Sequence, residues 1–243
     1  MSNPIESTLS ELVTANRILA AEGIVDSFGH ISARHPERPD RFVISRVRAA
    51  ELVTRDDLVE LSLDARPVAD TEVALFRERF AHAAVYRLRD DVNAVCHHHA
   101  APVLPFCVSG VPLIPVTHLG ATMGVQVPFW DARDDFGDTD LLVGNDAQGL
   151  SMARAMGPHW TVLLRHHGAT VAGRSVKECV FRSIYGARNA QIQREALQLG
   201  AARPLTASEA ALAESFNLTP FAMDRAWEKW SRALPAGASL PNA

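Results

Sequence analysis

The alternation of strand-like and helix-like segments along this chain predicts a sheet protein of the α/β or α+β class. Short β-prone runs end in histidines at Asn93 to His99 and at Trp160 to Gly168, with amphipathic or capped helical segments around them. A length of 243 residues with 47% hydrophobic content suits one large domain, or two small ones at a stretch.

From the N-terminus, Leu9, Leu12, Val13, Ile18 and Leu19 form a helical stripe over residues 7–22, which Gly23 ends. The polar turn Asp26 to Gly29 leads into a short strand reaching Arg34. A proline-containing loop precedes a strand at Arg41 to Ser45, residues 56–61 give another strand edge, and Pro67 to Asp70 is a polar turn. Residues 72–88 are expected as a helix on which Glu78 and His82, four apart, share a face. Apolar runs at 103–108 and 111–116 are expected as two short strands around the turn Ser109–Gly110. Residues 129–140 read as an acidic loop, 149–156 as a short helix and 160–165 as a buried strand. Ser175 to Glu178 and Thr206 to Glu209 are capping-box patterns that open helices to about Leu199 and Phe216. A last amphipathic helix over 224–234 carries Trp227 and Trp230 as packing or interface anchors, and Pro235 to Ala243 reads as a loose tail.

The histidines carry the chemistry. On a strand, His97 and His99 point to one face and His98 to the other. Two imidazoles roughly 6–7 Å apart on one rigid face can converge on one ion. His166 and His167 end a second buried strand, and either could join them. Three protein ligands with an open position is the pattern of a catalytic metal site, whereas a closed structural site would use four, usually with cysteines. Cys96, Cys107 and Cys179 are not spaced for that and read as buried apolar residues of a reducing cytoplasm. Arg46 and Arg48 flank a strand end, where guanidinium groups can bind a carboxylate or phosphate bidentately. His118, in a Gly-containing segment, is a further candidate site residue.

A net charge of −4 with no basic block argues against nucleic acid and anionic membranes as partners. No apolar run approaches the roughly 18 residues of a membrane span, and the first residues lack the regions of a signal peptide. The expectation is a cytoplasmic metalloenzyme acting on a small anionic substrate.

Four motifs then match in order and spacing: Gly29 to Arg34, Glu78-x-x-x-His82, Asp91 to His99, and His167–Gly168. Together they resemble the class II aldolase/adducin family over about residues 7–200. The resemblance implies a single three-layer α/β/α domain spanning the chain, with a central, mainly antiparallel sheet and C-terminal helices at about 206–234. It implies a homo-oligomer, often a tetramer, with active sites near subunit contacts. It also implies one divalent metal held by His97, His99 and His167, with Glu78 beside it as acid/base or fourth ligand. Zinc is the first expectation, with manganese, iron and cobalt as alternatives.

The sequence departs from the sugar-phosphate aldolases of that family. They carry asparagine where His30 stands, and bind phosphate with a Thr-Gly loop and a Ser-Ser pair. Here the loop is Ser45–Arg46–Val47–Arg48 and the pair falls near Asp70–Thr71. The combination of Phe28 to Ser32, His35 to Arg41 and Ile44 to Arg46 resembles instead a branch of aromatic-degradation decarboxylases acting on carboxylated ring-cleavage products or dihydroxyphthalate-like acids. The expected activity is therefore metal-dependent decarboxylation through a metal-stabilised enolate. His30, Ser45, Arg46 and Arg48 would bind substrate, and Glu78 or His118 would return the proton. A class II retro-aldolase acting on a sugar phosphate or hydroxy-keto acid is the alternative. A non-catalytic adducin-like module should have lost these ligands, and a metal-dependent oxygenase is a more distant reading.

Overall fold

Asn3 starts the first helix by accepting the Ile5 N–H, and Pro4 occupies the first turn, where its missing donor is not needed. The structure, a computed structural model, describes residues 3–235. The chain runs α1 (Pro4–Ala21), β1 (His30–Arg34), β2 (Arg41–Ser45), β3 (Leu58–Ser62), α2 (Arg79–Leu88), β4 (Ala94–His98) and α3 (Leu104–Ser109). It continues through β5 (Phe129–Trp130), α4 (Arg133–Phe136), α5 (Asp146–Met156), β6 (Thr161–Leu164) and β7 (Gly168–Gly173). Three helices close it: α6 (Val176–Leu199), α7 (Ala207–Asn217) and α8 (Pro220–Ala233).

The seven strands form one sheet in the order β3-β2-β1-β4-β7-β6-β5, antiparallel throughout except for the parallel β5–β6 pair. Alternation along each strand splits the core into two layers. Ile31, Ala94 and Cys96 pack with Leu12 and Ile18 of α1, Phe181 of α6 and Trp230 of α8. Phe42, Val95 and Val162 face the other way, against Ala84 of α2 and Met152 of α5. The result is the expected three-layer α/β/α arrangement with a mainly antiparallel sheet. Among the described residues, no helix is long and apolar enough to cross a membrane.

Several local expectations change. Residues 103–108 were expected as a strand and form α3, with Pro105 in its first turn and Gly110 ending it at φ +70°. Residues 111–116 join no ladder, because Pro112 and Pro115 each lack the N–H a strand would donate. Two side-chain amides of α6 replace the ladder. Gln193 accepts the Ile114 N–H and donates to the Pro112 carbonyl, while Asn189 accepts the Val116 N–H and donates to the Ile114 carbonyl. The expected helix over 72–88 begins only at Arg79, so Glu78 is its N-cap residue. The acidic loop at 129–140 contains β5 and α4, and the Gly-rich run after His167 is β7. The tail expected over 235–243 lies outside the described residues beyond Pro235.

Thr206 and Glu209 form a reciprocal capping box, whereas Ser175 caps α6 without one. There Glu178 turns to Arg182, whose Nε and Nη2 donate at 2.8 and 2.6 Å. Arg182 is fully buried and also meets Glu214 at 2.9 Å and the Thr122 carbonyl. Replacing Arg182 by methionine leaves the buried Glu178 carboxylate with only the half-exposed Arg174, at 3.2 Å, as a cationic partner. Guanidinium denaturation should show a loss of about 3–5 kcal/mol in unfolding free energy.

Candidate metal centre

β4 and β7 pair in a register that sets His97 opposite Thr170 and His98 opposite Ala169. Alternation sends His97 toward α2. His98 lies in the opposite layer, its Nδ1 accepting the Ala100 N–H at 3.3 Å. His99 follows directly on β4, and His167 ends the turn between β6 and β7. In that turn His166 takes φ +54° and is exposed, while His167 is held at the centre.

The Nε2 atoms of His97 and His99 lie 3.1 Å apart, and those of His99 and His167 lie 3.0 Å apart. Glu78 adds Oε2 at 3.3 Å from His97 Nε2 and Oε1 at 3.7 Å from His167 Nε2. All four ligand atoms fall within 4.8 Å of one another. Each neutral imidazole nitrogen offers one in-plane proton or one lone pair. His99 Nε2 therefore cannot satisfy both of its imidazole neighbours, and a cation is the partner that suits the whole group. Zinc–nitrogen bonds of about 2.0–2.1 Å would separate tetrahedral donors by about 3.3–3.4 Å, close to the spacing here. The residues fit a divalent ion.

Surrounding groups orient the donors. His97 Nδ1 lies 3.2 Å from Thr170 Oγ1, and His99 Nδ1 is 3.8 Å from Asp26. Glu78 Oε1 accepts the Val143 N–H at 3.2 Å. Burial, reinforced by the neighbouring imidazoles, holds His97 well below the ordinary histidine range. His99 is lowered by burial and by His167, against the pull of Asp26. Burial raises the Glu78 carboxyl, with His167 opposing. Neutral imidazoles are the metal-binding form.

Gly168 permits the close approach. A Cβ there would sit 2.4 Å from the His98 carbonyl oxygen and 2.9 Å from His99 Cδ2. Gly29, just before β1, is similarly crowded: a Cβ there would sit 2.8 Å from Val25 Cβ and 3.1 Å from the His97 carbonyl oxygen.

Above these donors lies a cleft of about 380 Å³, walled by Phe28, Val47, Leu75, Phe76 and Leu142, with His30 and Arg77 as further polar groups. Glu78 is not the exposed helix charge its arginine neighbours suggest; it is 7% exposed, because the chain before α2 folds over the sheet instead of continuing the helix. The structure thus brings together Glu78, His97, His99, His167 and His30. It does not bring Arg46, Arg48, Ser45 or His118 into that cleft. Arg46 and Arg48 both hold the buried Asp57, at 2.7 and 3.2 Å, and Val47 between them lines the cleft. Burial would raise Asp57, but hydrogen bonds from Thr54 and Arg46 and the charge of Arg48 outweigh it and lower its pKa. Ser45 is buried with its hydroxyl unpaired. His118 lines a separate cleft against α7, where Asn217 Nδ2 donates to its carbonyl at 2.9 Å. Sequence reasoning missed Arg77, Thr170 and the apolar wall at 75–76. Thr170 could have been found as the cross-strand neighbour of His97, once β7 was recognised.

The sequence profile described as Class II Aldolase and Adducin N-terminal domain matches residues 10–194. The chain belongs to this family. Decarboxylase tropJ of Talaromyces stipitatus is 32% identical, across 100% of this chain and 99% of that protein. The 3,4-dihydroxyphthalate decarboxylase of Arthrobacter keyseri is 29% identical, covering 71% of this chain and 72% of its own length. Among solved structures, L-fuculose 1-phosphate aldolase from Glaciozyma antarctica PI12 superposes with a TM-score of 0.77 at 22% identity, covering 94% of this chain and 88% of that one. That likeness establishes the class II aldolase fold. Family and decarboxylase relatives together support a lyase-type enzyme.

Gly168→Ala should displace His99 or His167 while leaving the helices intact. Calorimetric titration with a divalent ion should show affinity reduced by about 10–100-fold, with an unchanged far-UV spectrum. Because burial lowers His97 and His99, the loss of ion affinity that protonation of those two donors causes should appear only below the ordinary histidine range, read by the same titration at falling pH.

Proposed function

We propose that this protein is a metal-dependent decarboxylase of a small carboxylated aromatic or ring-cleavage acid. The observation that carries the reading is the Glu78–His97–His99–His167 cluster at the floor of a largely apolar cleft. Its full-length likeness to a named decarboxylase supports the same choice. Flat apolar walls such as Phe28 and Phe76 suit a ring or an unsaturated chain.

His97, His99 and His167 would hold the ion, with zinc as the first candidate and manganese, iron or cobalt as alternatives. When bound, it would supply Lewis-acid stabilisation of the negative charge that builds on substrate oxygen as the carbon–carbon bond breaks. The chain's own groups do the rest. His30 and Arg77 line the cleft and would orient the substrate carboxylate. Arg46 and Arg48, pinned to Asp57, would act indirectly by fixing the loop that presents Val47, whose N–H donates to the Ala74 carbonyl. Glu78 would supply the proton to the carbon that loses carbon dioxide, from a carboxyl that burial raises above its ordinary range. His118, in its separate cleft, takes no part in this scheme within one chain. The assembly belongs to the same proposal: Leu212, Phe216 and Phe221 are exposed on α7 and α8 and would be covered in a homo-oligomer, a tetramer first.

The test is carbon dioxide release from 3,4-dihydroxyphthalate and from 2-hydroxy-3-carboxymuconic semialdehyde by metal-loaded protein, with and without chelator. Chelator-sensitive release is expected. Aldehyde formation from a sugar phosphate or hydroxy-keto acid, without carbon dioxide, would replace this reading with a retro-aldolase. Glu78→Gln should keep the ion bound and lower kcat by about 10²-fold or more; a rate near the parent's would remove Glu78 from the mechanism.

A further inference from the structure

Behind the cleft, four buried side chains form a continuous hydrogen-bonded line. His30 Nδ1 lies 2.8 Å from His82 Nε2, and His82 Nδ1 lies 2.7 Å from Ser32 Oγ. Ser32 Oγ lies 2.8 Å from the Tyr86 hydroxyl. All four residues are at most 1% exposed. They come from two elements in register: His30 and Ser32 alternate on one face of β1, and His82 and Tyr86 are one turn apart on α2.

Two proton arrangements satisfy the two imidazole links. In one, Tyr86 donates to Ser32, Ser32 to His82 Nδ1, and His82 Nε2–H to His30 Nδ1. Every proton within the line has an acceptor, and His30 carries its own proton on Nε2, left for a group in the cleft to accept. In the reverse arrangement His30 Nδ1–H donates to His82, His82 Nδ1–H to Ser32, and Ser32 to Tyr86. The Tyr86 proton then needs another acceptor; beside Ser32 Oγ the hydroxyl meets the Val95 backbone, a contact that favours the deprotonated phenol and is therefore made by the Val95 N–H, itself a donor. A buried donor without an acceptor costs about 1–3 kcal/mol.

We propose that Tyr86, Ser32 and His82 are positioning residues that lock His30 in its Nε2–H tautomer, so that it presents a donor to an anionic oxygen of the substrate. His30 Nε2 has no hydrogen bond within the described residues, and the side chain lines the cleft beside Glu78, His99 and His167. The line is a lock and not a proton wire. Burial pushes the Tyr86 phenol well above its ordinary range, so it keeps its proton. Burial also lowers His82 to about 3, so it stays neutral. The substrate class rests on the decarboxylase reading, whereas the tautomer lock does not depend on it.

The test uses metal-loaded protein labelled with ¹⁵N-histidine, without substrate. The ¹⁵N–¹H correlation pattern of His30, assigned by its loss in His30→Asn, should show a proton on Nε2. A proton on Nδ1 in the parent protein overturns the proposal. Ser32→Ala breaks the line and should give a mixture of His30 tautomers, with Ser32→Thr restoring the single form. A pure Nε2–H form in Ser32→Ala would likewise defeat the lock. Once a substrate is in hand, Ser32→Ala should lower kcat/KM by about tenfold in the parent background and have no further effect in His30→Asn. Equal losses in both backgrounds would mean that Ser32 is merely structural. A protein with no decarboxylase activity but an Nε2–H tautomer would fail the functional reading while leaving the lock standing.

Discussion

The closeness of β4 to β7 governs the centre of this molecule. Two ligand candidates, His97 and His99, sit at the end of one strand and the third on the turn that opens the next. They meet only because Gly168 lets the backbone pass the His98 carbonyl without a side chain between them. The other strands depend on the same pair. β1 lies against β4 and contributes His30 and Ser32, and the α2 layer covers the face to which His97 points. The buried central strands of this sheet hold donor atoms to tenths of an ångström, which loops seldom do.

The polar groups on the α2 side of the sheet would be expensive there if left unpaired. They gather instead into two systems that meet at the cleft. One is the Glu78–imidazole cluster, whose geometry asks for a cation. The other is the His30–His82–Ser32–Tyr86 line, which closes on itself without one. The unpaired His167 Nδ1 is the exception within the first system. Glu78 binds the two regions physically, because its backbone begins α2 while its carboxylate reaches back across the sheet to Val143 and His97.

Much of this was legible in residue order. The histidine end of β4, the alternation of His97, His98 and His99, and the caps at Ser175 and Thr206 follow from local chemistry and survive in the fold, whereas His167 lies in the turn after β6 and not on the strand itself. Other features depended on distant partners. Residues 111–116 look like a strand, yet two prolines and the amides of Asn189 and Gln193 give that segment another way to satisfy its backbone. Glu78 sits in a helical pattern flanked by arginines, and only the fold shows it turned inward. Arg46 and Arg48 have the right type and spacing for an anion, but Asp57, some ten residues later, supplies that anion from within the chain. β7 escaped notice because Gly168, Ala169 and Gly173 carry little β-propensity, while its place in the middle of the sheet makes it a strand.

The walls of the cleft have a different origin from its floor. The imidazole donors of the floor stand at a strand end or on a tight turn between strands and Glu78 at the start of α2, whereas Phe28, Val47, Leu75, Phe76 and Leu142 all lie in irregular segments. Mutational drift in those segments can reshape the cavity without disturbing the spacing of the donors. Such a division makes the scaffold evolvable. New substrates can be accommodated by exchanging side chains in a few connecting stretches while the bond-breaking apparatus is inherited intact.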